Sequence, residues 1–387
     1  MHRDITGRYV SSPAGGEMVN AFVPNPLPPV PVLELSGARQ HLLERATVAI
    51  GRLDSVSTLL PDPQLFLYAY VRREAVLSSQ IEGTQSSLSD LLLFELGEVP
   101  GVPFDDVVEV SNYIAALEHG MARLRADFPL CNRLLREMHI HLMARGRGSD
   151  KAPGDFRRSQ NWIGGTRPGN ARFVPPPPLE VEPCMAALEQ FFNPPTDATP
   201  MLIKAALAHV QFETIHPFLD GNGRLGRLLI ALLLHQGGLL AQPLLYLSLY
   251  FKRHRAEYYD RLNAVRTHGD WEGWLGFFLD GVTDTAQQAV AMAQQLLALL
   301  AQDRSRIAQL GARAGNVGLV FDQFARRVLV GVPQVQPLLA LSAPTIRTAI
   351  RTLQDMDIVN ELTGQRRNRV FAYQRYLEIL SEGAQPL

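Results

Sequence analysis

The chain has 387 residues, 46 % of them hydrophobic and 19 % charged, with a formal net charge of −1. This is an ordinary globular balance, and it gives no whole-molecule field toward nucleic acid or an anionic membrane. The two cysteines, Cys131 and Cys184, are too few for a disulfide framework and lack metal-type spacing, so a reducing, cytoplasmic setting is expected.

In chain order, residues 1–36 read as an arm. MHRDITGRYVSSPAGGEM lacks the apolar core of a secretory leader, and PNPLPPVPVLEL is proline-rich and extended, expected to lie over the first domain. From 38 to 98 the apolar spacing is helical. ARQHLLERATVAIGRLDSVSTLL is one amphipathic segment and QLFLYAYVRREAVLSSQIEG a second, ending at Gly83. Helices are expected at 104–126 and 130–145. The pattern then breaks at GDFRRSQNWIGGTRPGNARFVPPPP, where QNWIGG and ARFVPP flank TRPGN as a β-hairpin. Helices resume near 179–193, 199–215, 223–236, 249–267 and 270–281. A long helix at 283–311 leads into RAGNVG as a linker. The runs LLIALLLHQGGLL and VAMAQQLLALLAQ are too short or too interrupted to span a membrane, so none is expected as a partner.

The last module, from about 317 to 380, reads as a short helix and turn (LLALS) and a helix with Ile346, Ile350 and Leu353 on one face. A two-stranded wing follows, with Arg366, Arg367 and Arg369 at its tip. Nine arginines against six acids from residue 313 onward make it mildly basic. It resembles a winged helix, which keeps DNA as a candidate partner beside a packing or protein-contact role.

The chemistry concentrates in HPFLDGNGRLGR, His216 to Arg227, set between the apolar segments AHVQFETI and LLIALLLH. GNGRLG satisfies GxGxxG, but helical spacing on both sides excludes a dinucleotide fingerprint, and GxxxxGK(S/T) is absent. The physics still points to phosphate. Glycines let successive N–H groups turn inward at a helix N-terminus. Arg224 and Arg227 share a helix face and match phosphate in bidentate fashion. Asp220 can hold a hard cation beside phosphate oxygens, and His216 is placed to take a proton.

These residues resemble the Fic signature, HxFx(D/E)GNGRxxR, with every fixed position filled. The resemblance implies a mainly α fold: a Fic-type helical core, a short β-hairpin flap and a small C-terminal winged-helix domain. The expected divisions are an arm and inhibitory region (1–100), a Fic core (101–282), a long helix and linker (283–316) and the winged-helix-like domain (317–387). It implies transfer of AMP from ATP to a protein Ser, Thr or Tyr hydroxyl, with release of pyrophosphate. His216 would deprotonate the target and Phe218 would pin the loop. Asp220 would bind Mg²⁺ and Gly221, Asn222 and Gly223 would cradle the phosphates. Arg224 and Arg227 would contact the β- and γ-phosphate regions.

Upstream, LSSQIEGT places Ser78 and Glu82 four apart, with Gly83 able to end the helix. It resembles the inhibitory motif (S/T)xxxE(G/N) of autoinhibited Fic proteins, in which the glutamate pairs with the second signature arginine, here Arg227. QNWIGG–TRPGN–ARFVPPPP resembles the flap that docks a target by strand addition, with Ile163 and Gly164 as the expected docking edge. Tyr258 and Tyr259 resemble the adenine-side helix, whereas Arg266 stands where some relatives carry asparagine. The partners implied are ATP and a protein target, itself included. Pairing with a second copy and DNA contact are further options. Another nucleotide donor, AMP removal, or a DNA-binding regulator with a nucleotide-sensing core stay open as alternatives.

Overall fold

A computed structural model of the chain describes residues 4–59, 63–98, 101–194 and 199–386. It is mainly helical with two small antiparallel sheets. The N-terminal segment is more ordered than an arm. β1 (Gly7–Ala14) and β2 (Glu17–Pro24) pair antiparallel, Ala14 opposite Glu17. Their two-residue turn, Gly15-Gly16, has positive φ at both positions, the geometry that matches strand twist and that glycine adopts without strain. The proline-rich stretch that follows crosses the core more than the N-terminal helices: Gln211 Nε2 donates to the Asn25 carbonyl and Glu34 N–H to Glu272.

α1 (Ala38–Leu59) and α2 (Pro63–Ile81) match the two amphipathic segments, although Leu60 lies outside the described residues. α3 (Leu88–Glu95) follows, its Ser87 and Asp90 closing a capping box. Then come α4 (Phe104–Arg125), α5 (Asn132–Leu142), α6 (Pro178–Phe192), α7 (Met201–Ile215), α8 (Asn222–Gln236), α9 (Ser248–Arg253) and α10 (Arg255–His268). The helix expected at 249–267 is thus two, broken at His254. Conversely, 270–281 and 283–311 are one helix, α11 (Trp271–Ala308), capped by the Asp270 carboxylate on Gly273 N–H.

α7 lies in the centre of the core, every residue from Leu202 to Ile215 buried, and packs against α8, α6 and α11. Trp274 on α11, fully buried, donates its indole N–H to the Ala206 carbonyl. Burying a tryptophan with its one donor satisfied contributes roughly 3 kcal/mol or more to this junction. RAGNVG is not a linker: it opens α12 (Ala314–Arg327). β3 (Leu329–Gly331), α13 (Val332–Val335), α14 (Ala343–Asp355), β4 (Val359–Glu361) and β5 (Val370–Tyr373) follow, and the strands form one sheet in the order β3-β5-β4. α15 (Gln374–Ser381) closes the fold. Ile346, Ile350 and Leu353 of α14 are buried, as their spacing requires, and Arg366, Arg367 and Arg369 are exposed between β4 and β5. The module is fixed to the core through buried Asp303 of α11, which accepts from Tyr373 Oη at 2.6 Å.

Candidate functional site

The loop His216–Gly221 joins α7 to α8, and both helices are buried, so its ends cannot move apart. His216 caps α7 in the left-handed region (φ 50°, ψ 60°), a conformation that costs a non-glycine residue about 1 kcal/mol or more. Two bonds hold it there. Its N–H donates to the Phe212 carbonyl (2.9 Å), and its own carbonyl accepts from Arg157 Nε (2.9 Å). Burial, with the Arg157 and Arg266 charges adding to it, pushes the His216 imidazole down to about 4 against the pull of Glu82. At neutral pH the ring is therefore neutral and able to accept a proton.

Phe218 is fully buried, and its ring stacks on His139 at 3.8 Å with planes 9° apart. His139 accepts from Gly154 N–H at Nδ1 (2.8 Å) and donates from Nε2 to the Asp220 carbonyl (3.0 Å). One neutral histidine thus fixes both the pin and the loop's outer edge. Asn222 folds back: its Oδ1 accepts from Phe218 N–H and its Nδ2 donates to the Phe218 carbonyl, both at 2.9 Å. The side chain thus ties the loop closed.

Gly221 has φ +76°, and a Cβ there would come within 2.9 Å of Met143 Sδ. The first turn of α8 leaves backbone N–H groups without helical partners, a natural anion site. The Glu82 carboxylate lies against this turn, where a Cβ on Gly223 would collide with Glu82 Oε1. The same carboxylate accepts from Arg227 Nη2 at 2.8 Å. Arg227 also donates from Nε to Ser78 Oγ (2.8 Å) and from Nη2 to the Ser78 carbonyl (2.9 Å). Burial alone would raise the Glu82 carboxyl, but the Arg227 charge and hydrogen bond outweigh it and hold the group below its ordinary range. Gly83 ends the segment at φ +104°.

Arg224 is buried and pairs with Glu109 Oε2 (3.3 Å) and, more distantly, Asp220 Oδ1 (3.6 Å). Its Nε is buried without a hydrogen-bond partner, a donor that an anion would satisfy. Asp220 is half exposed, and among the described residues no group of three or more acidic, histidine or cysteine side chains could hold a metal by itself. A single carboxylate at an open edge fits a Mg²⁺ that arrives on phosphate oxygens, since that ion keeps few protein ligands.

The expected adenine-side and flap residues sit as follows. Tyr258 is buried in an aromatic cluster with Phe251 and Trp274, and its hydroxyl meets His209 Nε2 at 2.9 Å. Its ring faces the core. Tyr259 is half-buried, and Arg255, which donates to the Ile81 carbonyl beside Glu82, lies 5.7 Å from its ring, so it borders the site. In the flap, Ile163 forms a single β-bridge with Phe173: its N–H donates to the Phe173 carbonyl (2.8 Å) and its carbonyl accepts from Phe173 N–H (3.1 Å). Its backbone is therefore spent inside the flap. Gly164, at φ +68°, leaves extended geometry.

Glu109, His139 and Arg157 were not singled out from sequence. Arg157 donates to the carbonyls of His216, Pro176, Ser159 and Ile215, tying the flap's base to the loop. Arg266 is buried, donates to Thr214 Oγ1 (3.0 Å) and lies 3.9 Å over the Phe173 ring, so it braces the flap. Only side chains meeting across helices give these residues a role, and no local spacing signals that.

Residues 40–122 match the Fic/DOC family N-terminal region and residues 129–234 the Fic/DOC family itself. Over 205 residues, 52 % of this chain, it is 32 % identical to a protein named Protein adenylyltransferase Fic from Culex quinquefasciatus and 33 % identical to its namesake from Aedes aegypti. The chain spans 38 % of the length of each of these relatives. Among solved structures, a Fic family protein from Desulfovibrio desulfuricans G20 superposes with a TM-score of 0.57 at 20 % identity, covering 88 % of this chain and 97 % of that one. A Fic domain containing signaling protein from Bacteroides thetaiotaomicron gives 0.53 at 20 % identity, over 65 % of this chain and 97 % of that one. These two likenesses agree with the helical fold. With the signature loop held between its two buried helices, residues 40–122 form a Fic/DOC family N-terminal domain and residues 129–234 a Fic domain.

Proposed function

We propose that the protein transfers AMP from ATP to a hydroxyl of a protein target, releases pyrophosphate, and is held inactive by Glu82. The observation that carries this reading is the Glu82 carboxylate seated on the first turn of α8 and paired with Arg227. An anion site filled by an internal carboxylate is a site built for an anion that competes with it. With Glu82 displaced, Arg227 and the α8 N-terminus would take the terminal phosphate, and Arg224 would take the phosphate nearer the transferred group. Bound Mg²⁺ would supply neutralisation of phosphate charge, with Asp220 as its protein ligand. His216 would receive the hydroxyl proton as the target oxygen bonds to the α-phosphorus. Catalysis on this reading is positioning plus charge stabilisation. The target strand would add along the backbone of Trp162, next to the bridge.

The direct test is transfer from α-labelled ATP with Mg²⁺ by wild type, Glu82→Gly, and Glu82→Gly with His216→Ala, read on the protein itself and on a cell extract. Label strong in the single variant, weak in wild type and absent in the double variant supports the reading. No label in any of them moves weight to another donor, to AMP removal, or to a regulator.

DNA contact is favoured by a specific feature of the last module, which we read as a winged helix. Arg347 and Arg351 on the outer face of α14 and Arg366 and Arg367 in the wing are all exposed. Salt-dependent retention of a DNA fragment, lost on changing Arg347 and Arg351 to alanine, would support it. Pairing of two copies is a further proposal, checked by sedimentation.

A further inference from the structure

α2 presents two working faces. Ser78 and Glu82 look toward Arg227. Arg73, Leu77 and Gln80, spaced four and three apart, share the other face, and residues 381–385 are seated there. Arg73 Nη2 donates to the Glu382 carbonyl (2.9 Å) and Gln80 Nε2 to the Ala384 carbonyl (3.0 Å). Lys252 of α9 donates to Gln80 Oε1 (2.7 Å) and to the Gln385 carbonyl. Leu77, Leu249 and Ala384 form a small apolar cluster of their own beneath these bonds. Gln80 and Lys252 are buried, so their mutual bond and the Gln80–Ala384 bond are made away from water, while Glu382 and Gln385 stay exposed.

Gln80 joins the two faces. Its Nε2 also donates to the Ser86 carbonyl (2.8 Å), and its own carbonyl accepts from Gly83 N–H (3.1 Å). Glu82 lies in the turn between these attachments, one residue past the end of α2. The turn is therefore held from both ends by a residue that is itself held by segment 381–385.

We infer that residues 381–385 are a strap that keeps the Glu82 turn in its blocking position, so that the C-terminal module controls the brake. This rests on the inhibitory reading of Glu82. The physical reason is the cost of release. With the strap gone, Arg73, Gln80 and Lys252 each lose one partner, and water admitted to the back of α2 competes for the Gln80 bonds that hold the turn. The strap follows α15 directly, and α15 follows β5, so a partner that pulls on the module pulls on the strap.

The test uses the full chain, a chain truncated after Ser381, and Lys252→Met, each with and without Glu82→Gly. Two readouts are taken: labelled AMP transfer, and deuterium exchange of amides 79–86. Truncation and Lys252→Met should each speed exchange in 79–86 roughly tenfold or more while α7 and α8 stay protected. Transfer should rise toward the Glu82→Gly level, and adding Glu82→Gly should then raise it no further. Exchange in 79–86 unchanged by both variants overturns the strap. Faster exchange with transfer still low, where Glu82→Gly alone is active, overturns its control of the brake. If Glu82→Gly alone raises nothing, the inhibitory reading fails, and with it that control, while exchange still decides whether the strap holds the turn. Should the truncated chain lose protection in α7 and α8 as well, Lys252→Met decides by the same two readouts.

Discussion

Glu82 and Arg227 lie 145 residues apart in the chain and meet at 2.8 Å over the first turn of α8. Arg227 is buried and Ser78 holds it through two hydrogen bonds, so a ligand would take the bond now made to Glu82 while Ser78 keeps the guanidinium in place. Removing the carboxylate should free that site without unfolding it. Calorimetric titration with Mg-ATP is expected to show Glu82→Gly binding about tenfold or more tighter than wild type, the factor lost when most molecules occupy a closed state. Equal affinity would mean that Glu82 and phosphate do not compete.

The base should be unprotonated at neutral pH. The His216 ring is pushed to about 4 by burial and neighbouring arginines, and Glu82 is a charge that pulls the other way. Removing Glu82 lowers it further. For Glu82→Gly, the acid limb of kcat/KM is therefore expected below pH 5, not near the ordinary histidine value of about 6.5. A limb centred near 6.5 would show that His216 is solvated in the working enzyme. His216→Ala should lower kcat by about 100-fold or more while leaving Mg-ATP binding in place.

Tyr258 and Tyr259 should separate cleanly. Tyr258→Phe removes the hydroxyl bonded to His209 in a dry aromatic cluster, so it should destabilise the fold by about 1–2 kcal/mol and leave Mg-ATP affinity unchanged. Tyr259→Ala, at the border of the site, should do the reverse: little change in the melting temperature and weaker nucleotide binding. Calorimetry and thermal melts on the two variants decide it.

Phe218→Ala empties a fully buried ring site between His139 and Phe156. It should cost about 3–5 kcal/mol in denaturant melts. Because the stacked His139 also bonds the Asp220 carbonyl, the loop edge loosens with it, and transfer by Glu82→Gly/Phe218→Ala should fall even at temperatures where the protein is folded.

How much was legible in advance depended on how local each signal was. The Gly-Gly turn of the N-terminal hairpin is a local signal, and Tyr9, Phe22 and Phe173 form a chain of ring contacts once the hairpin is docked. α11 runs through 282 without a break, and Gly281 lies inside it because the Tyr250 ring packs against it and leaves no room for a Cβ. RAGNVG looked like a linker because its two glycines are weak helix formers, yet buried Val317 and Val320 anchor that turn to the core.

The sequence by itself determined the helical fold, the signature loop from His216 to Arg227 and the Ser78–Glu82 spacing, because each is a short pattern whose chemistry is carried by neighbours in the chain. Tertiary structure alone decided that Glu82 lands on Gly223, that Asn222 turns inward, that Tyr258 belongs to the core, and that residues 381–385 lie against the back of α2. Those are contacts between segments far apart in the chain, fixed by how buried helices pack and by which polar groups must be paired once water is gone.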